Sequence, residues 1–251
     1  TSSSSYNCGF ATSTPLQFGV ASSSVVMKRP DGKFVILAGA TSTEFGNAQL
    51  YDPETETITR MSATTTAPVG LGALAFKRPD GKFLIVLGNY RGGTTGATTT
   101  TNIYDPTDNT FSYGPPLTGP AGRGALVIPL PTGKFLIVHG NYTTGTSIYD
   151  PFQNNMIQGP LTINVAGGGS LALPRPDGTY LFIPGNSSEA CALVTATNIF
   201  DPRTMTFRAN PNTTITTGTG PGAFAFQRED GFFVIIKGGA TANTCAFIGT
   251  T

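Results

Sequence analysis

Charge, histidine and cysteine are scarce in this 251-residue chain, and each shortage removes a class of function. Only 12% of the residues are Asp, Glu, Lys or Arg and the formal net charge is +1, against roughly 25% charged residues in ordinary soluble domains. The basic residues do not gather into a stripe: Arg29, Arg78, Arg175 and Arg228 recur at one turn position of a repeat. A nucleic-acid partner would need a clustered basic face to neutralise several phosphates, so none is expected. One histidine, His139, and three cysteines without CxxC spacing leave no ligand set for structural zinc, and neither a metal nor a cofactor is expected. No apolar stretch approaches the ~18 residues that cross a bilayer, so membrane insertion is not expected either. No cleavable signal begins at Thr1; an exported protein would be represented here by its mature chain or by an excised domain.

Glycine (32), proline (19) and tracts of Thr, Ser and Asn such as 94–101 are what the chain has in place of charge. A neutral, hydroxyl-rich surface of this kind resembles exported proteins, and the expected location is extracellular or on a cell surface. Three cysteines allow at most one internal bridge. Cys191 and Cys245 each follow the glycine ending an apolar run, Gly185 and Gly238, by six or seven residues, so they would emerge on one face of neighbouring units. The expected disulfide is Cys191 to Cys245 with Cys8 free, and three reduced buried thiols stay open as the alternative.

A repeat organises everything else. Lys28 to Gly39, Lys77 to Gly88, Pro129 to Gly140, Pro174 to Gly185 and Gln227 to Gly238 each combine a tight turn with an apolar run that ends in glycine. The first aromatics of the runs, Phe34, Phe83, Phe135, Tyr180 and Phe233, recur every 45–53 residues. A second phrase lies between them: Tyr51-Asp52-Pro53, Tyr104-Asp105-Pro106, Tyr149-Asp150-Pro151 and Phe200-Asp201-Pro202. Proline presets φ and glycine takes φ > 0 in the Pro-Asp-Gly turns, which closes a hairpin. The Asp of the second phrase can cap a turn that proline initiates. Runs such as Phe83-Leu84-Ile85-Val86-Leu87 are apolar without alternation, so both faces of their strand are buried. Each preceding strand, for example Gly72-Ala73-Leu74-Ala75-Phe76, is small enough to pack closely around an axis.

Four-stranded antiparallel sheets repeated every ~50 residues, each covered on both faces by its neighbours, are the blades of a β-propeller. The expected fold is therefore all-β, one domain over 1–251 with five blades near 21–62, 70–118, 122–161, 168–214 and 220–251. Residues 5–18 would complete the last of these, because Phe10 and Pro15-Leu16 align with Phe111 and Pro116-Leu117. Phe10 to Leu16 should then pair beside Ala246 to Ile248. The phrase "apolar run, Gly, variable loop, Tyr-Asp-Pro" resembles the kelch repeat along nearly the whole chain. It departs from it in two ways. The second kelch glycine survives only at Gly238-Gly239, and Ile58, Phe111, Met156 and Phe207 stand where a tryptophan follows Tyr-Asp-Pro. Kelch-type copper oxidases need several histidine and tyrosine ligands with a modified cysteine, and the resemblance does not carry that chemistry to a chain whose sole histidine is His139.

Spacing assigns a functional face. Tyr-Asp-Pro to the next apolar run is nearly constant in length, whereas one loop per unit varies, and variable loops on a rigid scaffold are where binding usually resides. The residue types there are amide, aromatic and cation: Asn89, Tyr90, Arg91, His139, Asn141, Tyr142, Asn186 and Lys237. Such groups suit a glycan or a protein ligand. The expected function is a non-catalytic adhesion module on a cell surface, with self-assembly through the terminal strands as a further expectation. Two alternatives stand beside it, a structural subunit of a surface assembly or filament, and a carbohydrate-active enzyme. Eight of the 14 acids belong to the repeated turns, and only Glu44 and Glu189 lie on variable loops, which is thin support for a carboxylate pair. Asn141, Asn186 and Asn212 head N-glycosylation patterns.

Overall fold

The computed structural model describes residues 14–20, 23–39, 46–90, 96–188 and 192–239, and over these the chain is all-β. Sheet one holds β1 (Val25–Lys28), β2 (Phe34–Leu37), β3 (Ala48–Asp52) and β4 (Thr57–Arg60). Sheet two holds β5 (Leu74–Lys77), β6 (Phe83–Val86), β7 (Thr101–Asp105) and β8 (Thr110–Tyr113). Sheet three holds β9 (Leu126–Pro129), β10 (Phe135–Val138), β11 (Thr146–Asp150) and β12 (Asn155–Gln158). Sheet four holds β13 (Leu171–Pro174), β14 (Tyr180–Ile183), β15 (Ala196–Asp201) and β16 (Thr206–Thr214). Sheet five has two described strands, β17 (Phe224–Gln227) and β18 (Phe233–Ile236), where four were expected. In every sheet the strands pair antiparallel in sequence order. The arrangement is propeller-like, without a closed ring among the described residues. The pairing of Phe10 to Leu16 with Ala246 to Ile248 lies outside them.

The turns form for the reasons read from their residues. Gly32, Gly81, Gly178 and Gly231 take φ between 80° and 86° at the hairpin ends, a region that only glycine enters freely. At the opposite corners the Asp side chain of Tyr-Asp-Pro accepts the backbone N–H two residues on, as Asp105 Oδ1 does from Thr107 at 2.9 Å. Its other oxygen holds a lysine from the facing hairpin: Lys33, Lys82 and Lys134 reach Asp52, Asp105 and Asp150 at 2.9, 2.7 and 3.0 Å. These lysines hold all three carboxyls below the usual carboxylate range.

Neighbouring sheets meet face to face. Val25, Met27, Val35 and Leu37 of sheet one pack with Phe83, Ile85 and Leu87 of sheet two. Leu84 and Val86 pack with Ile137 and Tyr149 of sheet three, and Ile128 and Leu136 with Phe200 of sheet four. Along the inner edge the contact is backbone on backbone. A Cβ on Gly72 would stand 1.8 Å from the carbonyl oxygen of Gly122, and one on Gly124 would stand 1.9 Å from that of Gly167. No side chain fits there, which is why the first strands of sheets two to five are each preceded by Gly-x-Gly.

Candidate functional site

One polar position recurs inside the apolar third strand of sheets one to four, three residues before the aspartate of the corner: Gln49, Asn102, Ser147 and Asn198. All four side chains are buried. Each fastens a segment that leads into its own sheet. Gln49 Oε1 accepts from Gln17 N–H at 3.0 Å, Asn102 Oδ1 from Thr66 N–H at 2.8 Å and Ser147 Oγ from Thr118 N–H at 3.0 Å. Asn198 Nδ2 donates to Asn164 Oδ1 at 3.1 Å. Burying a polar group costs about 1–3 kcal/mol when it is unpaired, so these bonds fix which loop sits on which sheet.

Sheet three differs from the rest. Its fastening residue is the short Ser147, and the space that an amide fills elsewhere is taken by His139, the residue following β10. His139 Nε2 lies 2.7 Å from Ser147 Oγ. Ser147 Oγ is 2.8 Å from Thr118 Oγ1, which is 3.2 Å from the Thr146 carbonyl. A carbonyl only accepts, and this assigns the proton order along the row: Thr118 donates to Thr146, Ser147 to Thr118, and His139 Nε2–H to Ser147. The Nδ1 lone pair is therefore left as an acceptor. It lies against Gly119 and Gly145, at which a Cβ would come within 2.9 and 2.7 Å of it.

His139, 2% exposed, is among the residues lining an open pocket of about 430 Å³, with Thr118, Gly119, Pro120, Thr143, Thr144, Gly145, Gln158, Gly159 and Leu161. Gln158 turns its amide N–H groups to the carbonyls of Thr146 and Gly159, so its oxygen, like Nδ1, is an acceptor. No carboxylate and no cation lines the pocket. Burial alone pulls the His139 pKa down to about 4, which keeps the imidazole neutral across the physiological range. The pocket offers an uncharged base or acceptor among hydroxyls. Ser147 is fully buried beneath it, so it positions the ring and does not serve as a nucleophile.

The other expected ligand residues divide. Asn89, Asn141 and Asn186 are 2%, 6% and 0% exposed; they are structural in setting, with backbone bonds to Leu71, Arg123 and Gly168 respectively. Asn141 and Tyr142 adopt φ of 52° and 60°, and Tyr142 lies against Gly167. Tyr90 donates its N–H to Gly96. Lys237 is exposed and donates to Thr217 Oγ1 at 2.8 Å. The pocket gathers His139 with Thr143 and Thr144 of the loop that carries Asn141 and Tyr142, and includes none of the other expected residues. Arg91, Glu44, Glu189, Cys8, Cys191 and Cys245, with the expected disulfide, lie outside the described residues. Ser147, Thr118 and Gln158 were missed, although a polar residue before Ile-Tyr-Asp-Pro in an apolar strand is a readable signal.

No protein-family model matches the chain, and no curated protein matches it. Among solved structures it is similar to a novel fungal alcohol oxidase with catalytic diversity among the AA5 family, in complex with copper. Identity is 16% over 84% of this chain and 57% of that one, with a TM-score of 0.48. It is also similar to YjhT, at 15% identity over 83% of this chain and 70% of that one, with a TM-score of 0.56. The chain thus spans little more than half of the alcohol oxidase's length. At these identities the likeness is one of fold.

The expectation of a non-catalytic adhesion module, and the exclusion of an enzyme that went with it, is corrected: a fold similar to that of YjhT gives no ground for excluding an enzyme. The amides on which the adhesion reading relied are buried, and so is His139, which is among the residues lining the open pocket. Copper chemistry does not come with the likeness. One histidine in the whole sequence, and no cluster of three His, Cys, Asp or Glu side chains among the described residues, do not fit a centre built on several nitrogen ligands. The described residues contain no helix long and apolar enough to cross a membrane.

Proposed function

We propose that the chain is a closed five-bladed, kelch-like propeller that acts as an enzyme on a hydroxyl-rich, carbohydrate-like substrate, with His139 as its general base. The observation that carries this reading is the neutral His139 ring in the lining of an open pocket, its Nε2–H anchored on Ser147. A substrate hydroxyl would donate to Nδ1, a second to the Gln158 oxygen, and Thr144 is available for a third contact. Anchoring fixes the tautomer, so the lone pair needs no reorganisation before it takes a proton. The absence of charge around the ring suits an uncharged polyol. A base with a pKa of about 4 stays unprotonated down to acidic pH, and its activity should persist to about pH 5, falling only as Nδ1 titrates.

The test is a time course by NMR over a panel of neutral mono- and oligosaccharides, comparing the native protein with His139→Gln. Loss of a general base lowers the rate by about 10²–10⁴-fold. A substrate turned over equally by both proteins would refute the assignment, and so would absence of turnover across the panel together with unchanged sugar signals on mixing.

A further inference from the structure

A three-residue clamp on the face opposite the pocket ties sheet one to sheet two and sheet two to sheet three. Arg29 of sheet one donates to the hydroxyl of Tyr104, at 3.0 Å, and to Asn109 Oδ1 of sheet two. Arg78 of sheet two donates to Asn154 Oδ1 of sheet three at 3.1 Å and lies over the ring of Tyr149. Tyr104 and Tyr149 in turn donate to Asn109 and Asn154 at 2.9 and 3.0 Å. Between sheets three and four all three members change together. Leu130 replaces the arginine, Phe200 the tyrosine and Met205 the asparagine, and the three pack in one apolar cluster.

One set of these parts is left over at the two ends of the row. Sheet one has the corner, Tyr51 with Glu56, and Glu56 takes a φ of 53°, the same left-handed turn as Asn109 (60°), Asn154 (50°) and Met205 (54°). Sheet five has the arginine, Arg228, whose described contacts are with its own hairpin. Arg29 and Arg78 are 11% and 8% exposed at the side chain, but Arg228 is 57% exposed. The apolar surface matches as well. Phe224, Phe226 and Ile236 hold the strand positions that Val25, Met27 and Leu37 hold in sheet one. The latter are buried against sheet two, whereas the former are exposed, and so is Val26 on the outer face of sheet one.

Resting on the propeller reading above, we propose that Arg228 seats on Tyr51 and Glu56 of the same chain as a third copy of this clamp and so closes the ring. The charge is complementary, and Glu56 offers a carboxylate where the observed clamps use an amide. The occupant is the chain's own fifth sheet, because every observed clamp joins consecutive sheets of one chain and covalent linkage holds the partner at high effective concentration.

The test compares melting temperatures of the full chain carrying Arg228→Leu, the pair Tyr51→Phe with Glu56→Met, and all three together, with Arg29→Leu as the control for an observed clamp. Arg228→Leu and the corner pair should each lower the midpoint by at least about 3 °C. The triple variant, which rebuilds the Leu130, Phe200 and Met205 contact, should recover most of that loss. Solution scattering of the native protein reports closure independently. A closed-ring profile with strictly additive losses overturns the clamp and leaves the propeller standing. An open-arc profile overturns the propeller reading and the proposal with it. Losses that appear only with a concentration-dependent rise in mass assign the corner to a second copy, and refute closure within the chain.

Discussion

Acidification should weaken this fold well before its carboxylates titrate, and His139 is the reason. In the unfolded chain a histidine binds its proton near pH 6.5; in the fold, burial lowers that to about 4. The unfolded state therefore holds more protons between these values, and stability falls as pH drops from about 6.5 to 4. The full difference corresponds to ~3 kcal/mol at 1.36 kcal/mol per pKa unit. About 2 kcal/mol of it should be gone by pH 5. Asp52, Asp105 and Asp150 act in a separate window. Their lowered values add stability above the ordinary carboxylate pKa of about 4, and this is lost only as pH falls further.

Sheet two supplies the control, because Leu87 and Asn102 occupy there the positions of His139 and Ser147, and both are buried. The double variant His139→Leu with Ser147→Asn transplants that arrangement. Urea titrations at pH 7.5, 6 and 5 should show the native protein losing stability across the series while the double variant stays nearly level. Parallel curves for the two proteins would mean that His139 is not the group responsible, and would undo the assignment of a neutral ring.

Three further outcomes follow from the packing. Gly72→Ala should destabilise by more than ~3 kcal/mol by urea titration, since its Cβ would overlap the Gly122 carbonyl, whereas Gly32→Ala, with open space around it, should cost only the ~1–2 kcal/mol of a left-handed alanine. Arg78→Leu should lower the melting midpoint, because it removes the donor to Asn154 Oδ1 and the cation over the buried Tyr149 ring, and adding Tyr149→Phe with Asn154→Met should restore part of the loss. Lys82→Met should leave the melting temperature nearly unchanged, as the pair with Asp105 is at the surface, while NMR titration finds the Asp105 carboxyl risen toward its ordinary value.

What could be read from sequence was whatever is encoded within a few residues. Pro-Asp-Gly hairpins, Asp-capped corners and strands buried on both faces each depend on neighbours in the chain, so residues such as Gly81, Asp105 and Phe83 declared their roles directly. The repeat then multiplied one local reading into five sheets. The clamps and fastenings depend on partners far away. Arg29 meets Tyr104 across 75 residues and Thr66 meets Asn102 across 36, and no local pattern names such a partner. Comparing the repeats with one another does expose them. Arg, Tyr and Asn become Leu, Phe and Met together only because the three touch.

The asparagines show where a local reading of exposure and the packing diverge. Asn89, Asn141 and Asn186 fall on loops of variable length, and a loop amide is ordinarily a solvent-facing group that a ligand could use. Here the asparagines at the start of these loops lie back against the first strands, beside close-packed glycines, and the amides are enclosed. Exposure is set by that inner-edge packing, so variation in loop length carries no information about which side chains reach solvent. His139 shows the converse. It sits where other sheets have Ala38, Leu87, Pro184 or Lys237, and its position alone suggests a filler at a strand end. Its distinction comes from Ser147, the one short residue in the fastening series, which admits the ring, fixes its proton on Nε2 and leaves Nδ1 as an acceptor against Gly119 and Gly145. Restoring a long amide at that position, as in Ser147→Asn alone, should displace the ring and abolish turnover while preserving the bond to Thr118 N–H, a combination that a purely structural histidine would not produce.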